Sequence, residues 1–517
     1  MQSFVETSVH PDAERLETAR RRFVAELGAE AVRDDEIGVK EFHDPYEGPG
    51  AVSHQPSLIV QPVSVEQIQA AVRIAAETGV HLWTSSMGRN FGYGGSAPAA
   101  NGAIVLNLRR MNRILDIDPK NCFALLEPGV TFQQLYEEIR RQGLPLAMSV
   151  PDLGWGSIIG NALDHGMGYH VMGDHASSLC GLEVVLADGA LVRTGQGAIT
   201  GSPLWSCHRR GFGPSMDDLF KQSNFGIVTK AGVWLTPRPE QFAAGFIRCH
   251  QDEDVIRLVD MLRTLMLEGV LQGTPMLLSS PRAMADEGEA GGGRYTMANL
   301  RSMLPPGRWN ARFGLYGNRR MVDARSEILK EAVATIPGAM LDLQTYPGDV
   351  DPHDVAPPHL VPAGIPNQFL KDQFESIFDQ FGHMDCSPVI PMTGEMALKV
   401  EKLVSEILSR HGLLGAFGAG LTNRSMICAT MILFDKSDQD RVTAAKLAVG
   451  QLYDEIAKWG CAPYRAHISL VDQVADKQDY NNHALAKLYQ KLKGALDPSG
   501  ILSPGNHGIW PVNSGER

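Results

Sequence analysis

The stretch Thr84-Ser85-Ser86-Met87-Gly88-Arg89-Asn90-Phe91-Gly92-Tyr93-Gly94-Gly95-Ser96 decides how this chain is read. It holds four glycines within eight residues, so the backbone can turn tightly and bring its N–H groups close to a ligand. Concave runs of N–H groups bind anions, and Arg89 adds a fixed positive charge. By itself the cluster reads either as a glycine-rich surface turn or as a pyrophosphate cradle with Tyr93 at its far end.

The flanking residues narrow this. Leu58-Ile59-Val60 forms a short apolar strand, and Ser64 with Gln67 makes a capping-box start for a helix. Val65, Ile68, Val72 and Ala75 keep helical spacing until Gly79, and residues 80–83 return as a second strand. The glycine loop follows that strand and leads into another, 103–108. A nicotinamide-dinucleotide fingerprint must instead join a strand directly to a helix N-terminus. There is no G-x-x-x-x-G-K-[ST] either. Both readings are therefore excluded, leaving a cradle built from a strand-to-strand loop.

Upstream, residues 12–33 are expected to form an amphipathic helix and 34–57 an irregular lead-in. Downstream come strands at 114–117 and 124–127 and a helix at 132–142 capped by Thr131 and Gln134. A second glycine-rich run, 150–162, leads to Gly166-Met167-Gly168-Tyr169. A hairpin turns at Ala187-Asp188-Gly189, and a tight turn at Asn224 enters a strand ending near 235. Pro237-Arg238-Pro239 marks a boundary. Beyond it, helices at 254–267, 395–411 and 441–459 alternate with strands at 244–248, 311–316 and 427–434. Two loops stand out, 287–293 and 347–366; the second is long enough to be expected to line a site. The turn-rich segment 497–505 and apolar Gly508-Ile509-Trp510-Pro511 close the chain, the latter expected to be docked.

At 517 residues, two or three domains are expected. A net charge of −12 without a basic run disfavours nucleic acid and anionic membrane as partners. No apolar stretch reaches the roughly 20 residues of a membrane span. Residues 1–22 lack an apolar core, so no signal peptide is expected. The seven cysteines form no C-x-x-C, so neither a disulfide framework nor a metal site is indicated, and a cytoplasmic setting is expected.

Taken together, several motifs resemble the vanillyl-alcohol oxidase and p-cresol methylhydroxylase flavoproteins. They are Gly88-Arg89-Asn90-x-Gly92-Tyr93-Gly94-Gly95, Pro151-Asp152-Leu153-Gly154-x-Gly156-Ser157, Gly168-Tyr169, Gln222-Ser223-Asn224-x-Gly226-Ile227-Val228-Thr229-Lys230, Tyr464-Arg465 and Asp497-Pro498-x-Gly500-Ile501. Each is weak alone; six in the same order are not. The run from Asp152 to Ser157 is most similar to the eugenol oxidase branch. The resemblance implies an α+β, two-domain flavoprotein with a bipartite FAD-binding domain and a central α/β cap. In this chain that places FAD binding in 1–238 and 463–517 and the cap in 239–462.

The same resemblance implies that Ser86, Met87, Gly88, Arg89, Asn90 and Phe91 hold FAD, with Pro151, Gly156, Ser157, Ile227 and Arg465. His383, four residues before Ser387-Pro388, falls where the oxidase branch bonds its histidine covalently to the flavin. Tyr93, Tyr464 and Arg465 fall at the family's phenolate clamp. Asp152 falls beside the reactive flavin nitrogen, as a base for water addition or for alcohol oxidation. Its alternative use is as a turn cap. Tyr169 either packs by the flavin or serves as a core aromatic.

Ionising a phenol of pKa about 10 near neutrality requires about three units, or roughly 4 kcal/mol. Hydrogen bonds to a charged group contribute roughly 1.5–3 kcal/mol each. Two tyrosines and a guanidinium suffice; a single tyrosine does not. The expected reaction is hydride loss from the benzylic carbon of 4-hydroxybenzylic alcohols, 4-alkylphenols or 4-allylphenols through a quinone methide. Dioxygen or a cytochrome would serve as acceptor, in a homodimer or higher homo-oligomer. A flavin oxidase for a non-phenolic alcohol and a non-catalytic flavin scaffold are the competing readings. The chain departs from the family at Leu370 or Lys371, at Ile427 and Cys428, and at Asn506.

Overall fold

The computed structural model of the protein describes residues 12–281 and 295–512, so the expected loop 287–293 lies outside them. The glycine loop springs from a mixed sheet. Ile104–Asn107 lies between Leu58–Val60 and Leu82–Ser85, all three parallel, and Val32–Arg33 adds an antiparallel edge. The helix Val65–Thr78 starts as its sequence requires. Ser64 Oγ accepts from the Gln67 N–H at 3.3 Å, and Gln67 Oε1 accepts from the Val63 N–H at 2.8 Å. Gly79, at φ 69°, ends it.

Its apolar face (Ile68, Ala71, Val72, Ala75) shares a core with Ala19, Phe23 and Leu27. The first helix is shorter than expected from the sequence. It covers Ala13–Leu27, because Gly28 at φ 99° redirects the chain into the extended Val32–Arg33 edge.

A five-stranded antiparallel sheet follows, in the order Ile114–Asp118, Phe123–Leu126, Ile227–Trp234, Leu179–Val185, Leu191–Arg193. The helix Phe132–Arg141 carries a complete capping box between Thr131 and Gln134. From Gln241 onward the strands belong to a different pair of sheets. One has seven antiparallel strands with Gln241–Cys249, Trp309–Gly317 and Gln272–Ser279 at its middle. The other joins Phe381–Cys386, Thr430–Asp435 and Leu414–Ala416. Helices Asp254–Leu267, Gly394–His411 and Gln439–Ala457 cover them through one large apolar core.

The strand expected over 427–434 is in fact two, Ser425–Cys428 and Thr430–Asp435, one in each sheet. Buried apolar residues on both pieces hide the break in the sequence. At the break, the Ala429 N–H donates to Gly418 O at 2.8 Å.

The C-terminal segment returns to the first sheet. The Leu82 N–H donates to Ile501 O at 2.8 Å, and the Ser503 N–H donates to Leu82 O at 2.6 Å. Lys493, fully buried, fastens it. Its Nζ reaches Asp497 at 2.7 Å and donates to Leu502 O and, across the fold, to Asn224 O at 2.9 Å.

The lead-in is fastened by a buried pair, Asp44 Oδ2 with His467 Nε2 at 2.9 Å. Burial alone would raise the Asp44 carboxyl, but His467 and the Tyr46 N–H outweigh it, and the group sits below its ordinary value. A carboxylate depressed in the folded state contributes stability that is complete above its unfolded pKa of about 3.9. That stability is lost as pH falls through the lower, folded value. Asp44→Asn is expected to cost roughly 1–3 kcal/mol at neutral pH. Urea unfolding at neutral pH and near pH 3 should show this gap closing in acid; an equal gap at both would remove the ionic contribution.

Candidate active site

The first glycine loop folds back on itself. Gly88 has φ 66°, and a Cβ there would stand 1.7 Å from Ser96 Oγ. Its start is held by Asn107, whose Nδ2 donates to Ser85 Oγ at 2.9 Å and to Ser86 O at 2.6 Å. The second glycine run closes against it, since a Cβ on Gly160 would lie 2.1 Å from Ser86 Oγ. Ser157 anchors that run by donating to Pro128 O at 2.6 Å and accepting from the Gly160 N–H at 2.8 Å. Arg89 lies 4.8 Å from the Trp155 ring centroid.

Between the two runs opens a cavity of about 770 Å³. Ser86, Met87, Gly88, Arg89, Asn90 and Phe91 line it, as do Pro151, Gly156, Ser157 and Ile227. The expected chemical residues Tyr93, Asp152, Tyr169, His383, Tyr464 and Arg465 line the same cavity. The long loop contributes Pro357, Pro358 and Val361.

Three distant segments are laced together around Tyr93. The Asp385 N–H donates to Gly92 O at 3.2 Å, that of Tyr464 to Ser387 O at 3.1 Å, and that of Ile468 to Tyr93 O at 3.2 Å. The Tyr93 hydroxyl lies 2.5 Å from Ser387 Oγ, and the Tyr464 side chain lines the cavity beside it. The Arg465 guanidinium lies 5.6 and 5.4 Å from the two tyrosine ring centroids. Its Nε donates to Asp164 O at 2.5 Å and pairs with Asp164 Oδ2 at 3.0 Å, and its second arm reaches Asn161 O at 3.2 Å.

Burial pushes both tyrosine hydroxyls above their ordinary value, more than Arg465 pulls them down. They therefore stay protonated and can donate. Burial works against the Arg465 charge, but Asp164 and the tyrosines more than offset it. The Asp164 carboxyl is held low in turn: Arg465 and His507 overcome its burial.

Asp152 has an arginine partner of its own. Oδ1 accepts from an Arg312 Nη at 2.8 Å, and the Tyr169 side chain lines the same part of the cavity. Arg312 also lies 4.7 Å from the Tyr169 ring centroid. His383 is 1% exposed, its ring 4.5 Å from that of Phe91. Its Nε2 is 3.0 Å from Asp385 Oδ1, and its Nδ1 is buried without a hydrogen-bond partner.

Asp164, Arg312 and Asp385 were not found from the sequence. Arg312 could have been, as the one charged residue of the strand Trp309–Gly317. Of the departures, Leu370 and Asn506 line the cavity. Lys371 does not; it pairs with Glu375 and lies 5.2 Å from the Trp155 ring centroid. Ile427 lines a neighbouring cavity and Cys428 is fully buried, so neither touches the chemistry directly. No group of side chains among the described residues could hold a metal ion. No helix among them is long and apolar enough to cross a membrane.

A family model described as "FAD binding domain" matches residues 56–195, and one described as "FAD linked oxidases, C-terminal domain" matches 398–507. The flavoprotein subunit of 4-cresol dehydrogenase [hydroxylating] from Pseudomonas putida is 33% identical over 474 residues, covering 88% of each chain. This chain belongs to the vanillyl-alcohol oxidase and p-cresol methylhydroxylase family. It is a flavin oxidoreductase with the family's two-domain fold, and its cofactor is FAD.

Two solved structures agree. 4-Ethylphenol oxidase from Gulosibacter chungangensis superimposes with a TM-score of 0.90 at 32% identity, covering 97% of this chain and 99% of that one. p-Cresol methylhydroxylase gives 0.89 at 30%, covering 98% and 99%.

The cradle fits the cofactor. Gly156 borders the cavity, and a Cβ on it would meet nothing within 4 Å, so only an occupant limits its size. Gly156→Val should therefore lower FAD affinity at least about tenfold, or 1.4 kcal/mol. The melting temperature of the flavin-free protein should stay nearly constant. Flavin per chain after gel filtration measures the first effect and thermal unfolding the second; unchanged flavin content would place the cofactor elsewhere.

Proposed function

We propose that the enzyme oxidises the benzylic carbon of para-substituted phenols: 4-hydroxybenzylic alcohols, 4-alkylphenols or 4-allylphenols. The observation carrying this is the convergence of two buried, protonated tyrosine hydroxyls and a guanidinium in the FAD cavity. A phenolate oxygen placed there accepts from Tyr93 and Tyr464. Arg465 shares its charge with Asp164, so the tyrosines carry most of the roughly 4 kcal/mol that ionisation requires. The names of the relatives, a cresol dehydrogenase and an ethylphenol oxidase, support the same substrate class.

Bound FAD supplies the two-electron acceptor. Loss of hydride from the benzylic carbon of a phenolate leaves a neutral quinone methide, which is why the clamp lowers the barrier. Asp152, oriented by Arg312, accepts a proton from water adding to that carbon, or from the hydroxyl of an alcohol substrate. His383 is the residue for covalent attachment of the flavin.

Anaerobic addition of a panel of para-substituted phenols should bleach the flavin; a panel that leaves it yellow rules out the reading. Tyr93→Phe and Tyr464→Phe should each lower kcat/KM roughly 10–150-fold, the equivalent of one charge-assisted hydrogen bond. If Tyr93→Phe hardly alters turnover, the oxidised group is not held as a phenol. An oxygen electrode with vanillyl alcohol decides between dioxygen and a cytochrome as the final acceptor.

A further inference from the structure

The turn Asn506–Gly508 carries a histidine to the back of the Tyr93–Tyr464–Arg465 cluster. Asn506 fastens the turn by donating from Nδ2 to Ser223 O at 3.1 Å. On its other side the turn abuts the helix Val471–Ala475, where a Cβ on Gly508 would lie 2.5 Å from Ala475 Cβ. Between them His507 places its Nε2 3.2 Å from Asp164 Oδ1. The second oxygen of that carboxylate pairs with Arg465 at 3.0 Å, so Arg465, Asp164 and His507 form one row.

The row ends where solvent can reach it. The His507 side chain is 27% exposed, and it borders both the FAD cavity and the neighbouring cavity of about 920 Å³. The other charged groups nearby have partners of their own. Asp472 accepts from Trp510 Nε1 at 2.7 Å, Lys221 pairs with Asp218 at 2.8 Å, and Asp174 accepts from the Ser177 N–H at 3.1 Å. Burial holds the His165 imidazole below its ordinary value, which disfavours a charge there.

Charge neutrality gives the row its use. Burial would raise the Asp164 carboxyl, but Arg465 and His507 outweigh it, so Asp164 is ionised and cancels Arg465. A phenolate oxygen against Tyr93 and Tyr464 then adds one uncompensated negative charge to a largely desolvated site, which is costly. A proton on His507 restores neutrality. An ionised carboxylate only accepts, so Nε2 carries a hydrogen throughout and the added proton goes to Nδ1.

We propose that His507 takes up the proton that a phenol gives up on binding, so that the substrate enters neutral and is held as phenolate against an imidazolium. This rests on the reading that the cluster binds a phenol. The phenol O–H bond breaks, its electron pair stays on the oxygen, and an N–H bond forms at Nδ1 by exchange through solvent. No net proton is released. His507 acts through Asp164, and so positions charge rather than reacting atoms.

The test uses the holoenzyme and 4-chlorophenol, which has no benzylic hydrogen and binds without being oxidised. Ultraviolet absorption counts the phenolate formed, and calorimetry in buffers of different ionisation enthalpy counts the protons released. The measurement is made at about pH 8, above the ordinary imidazole range. The wild type should form phenolate and release almost no protons. His507→Arg, permanently charged, should form phenolate and release about one proton for each. His507→Gln should release about one proton per phenolate, or bind the phenol un-ionised; either supports the role. If 4-chlorophenol forms no phenolate in the wild type, the phenol reading fails and the His507 role with it. If the wild type forms phenolate and releases one proton for each, only the His507 role fails, whatever the variants do. It fails too if His507→Gln forms phenolate and releases none, because another group then takes the proton.

Discussion

The site depends on the ion pair between Arg465 and Asp164. It spans 301 positions of sequence and joins the C-terminal segment to the end of the second glycine run. Desolvating a guanidinium and a carboxylate separately would cost several kcal/mol each, so neither segment can hold its charge in the cavity wall without the other. Once paired, the guanidinium stays within 6 Å of two tyrosine rings that come from opposite ends of the chain. The pair acts less as a source of stability than as a locating pin. It fixes where the side chains of Tyr93 and Tyr464 converge, the point proposed to take the phenolate oxygen.

The cap contributes in a different way. The strand Trp309–Gly317 carries Arg312 as its one charge, and that guanidinium orients Asp152 from the other side of the cavity. Two ion pairs between segments distant in sequence therefore border the cavity, Arg465–Asp164 and Arg312–Asp152. One lies beside the Tyr93 and Tyr464 rings, and the other holds the carboxylate proposed for proton transfer. The His383–Asp385 pair, by contrast, lies within one cap strand and owes its space to a glycine of the FAD cradle.

Local structure was legible wherever a single segment carried its own signal. The Ser64 and Thr131 caps, Gly79 and the strands bounding the cradle lie where propensity and spacing put them. The first helix ended early because one glycine φ angle was decisive, and propensity sums do not register that. The break at Ala429 escaped because strands buried in two sheets look alike in hydrophobicity. For the site, Tyr93, Asp152, His383, Tyr464 and Arg465 were reached through the order of family motifs, not through local physics. Asp164, Arg312 and Asp385 matched no motif. Two of them act through partners 301 and 160 residues away, and that kind of complementarity shows only in three dimensions.

The cavity of about 770 Å³ has a consequence for the life of the protein as well as for its reaction. Cores of folded proteins are close-packed, so a gap of this size makes FAD a component of the interior that arrives after the chain. A ligand held at a thousand times its dissociation constant adds about 4 kcal/mol to folding stability, a large share of what a domain has. Flavin supply during synthesis thus sets how much intact enzyme a cell accumulates. Mildly destabilising substitutions far from the chemistry should first be seen as pale protein, before any loss of turnover per bound flavin.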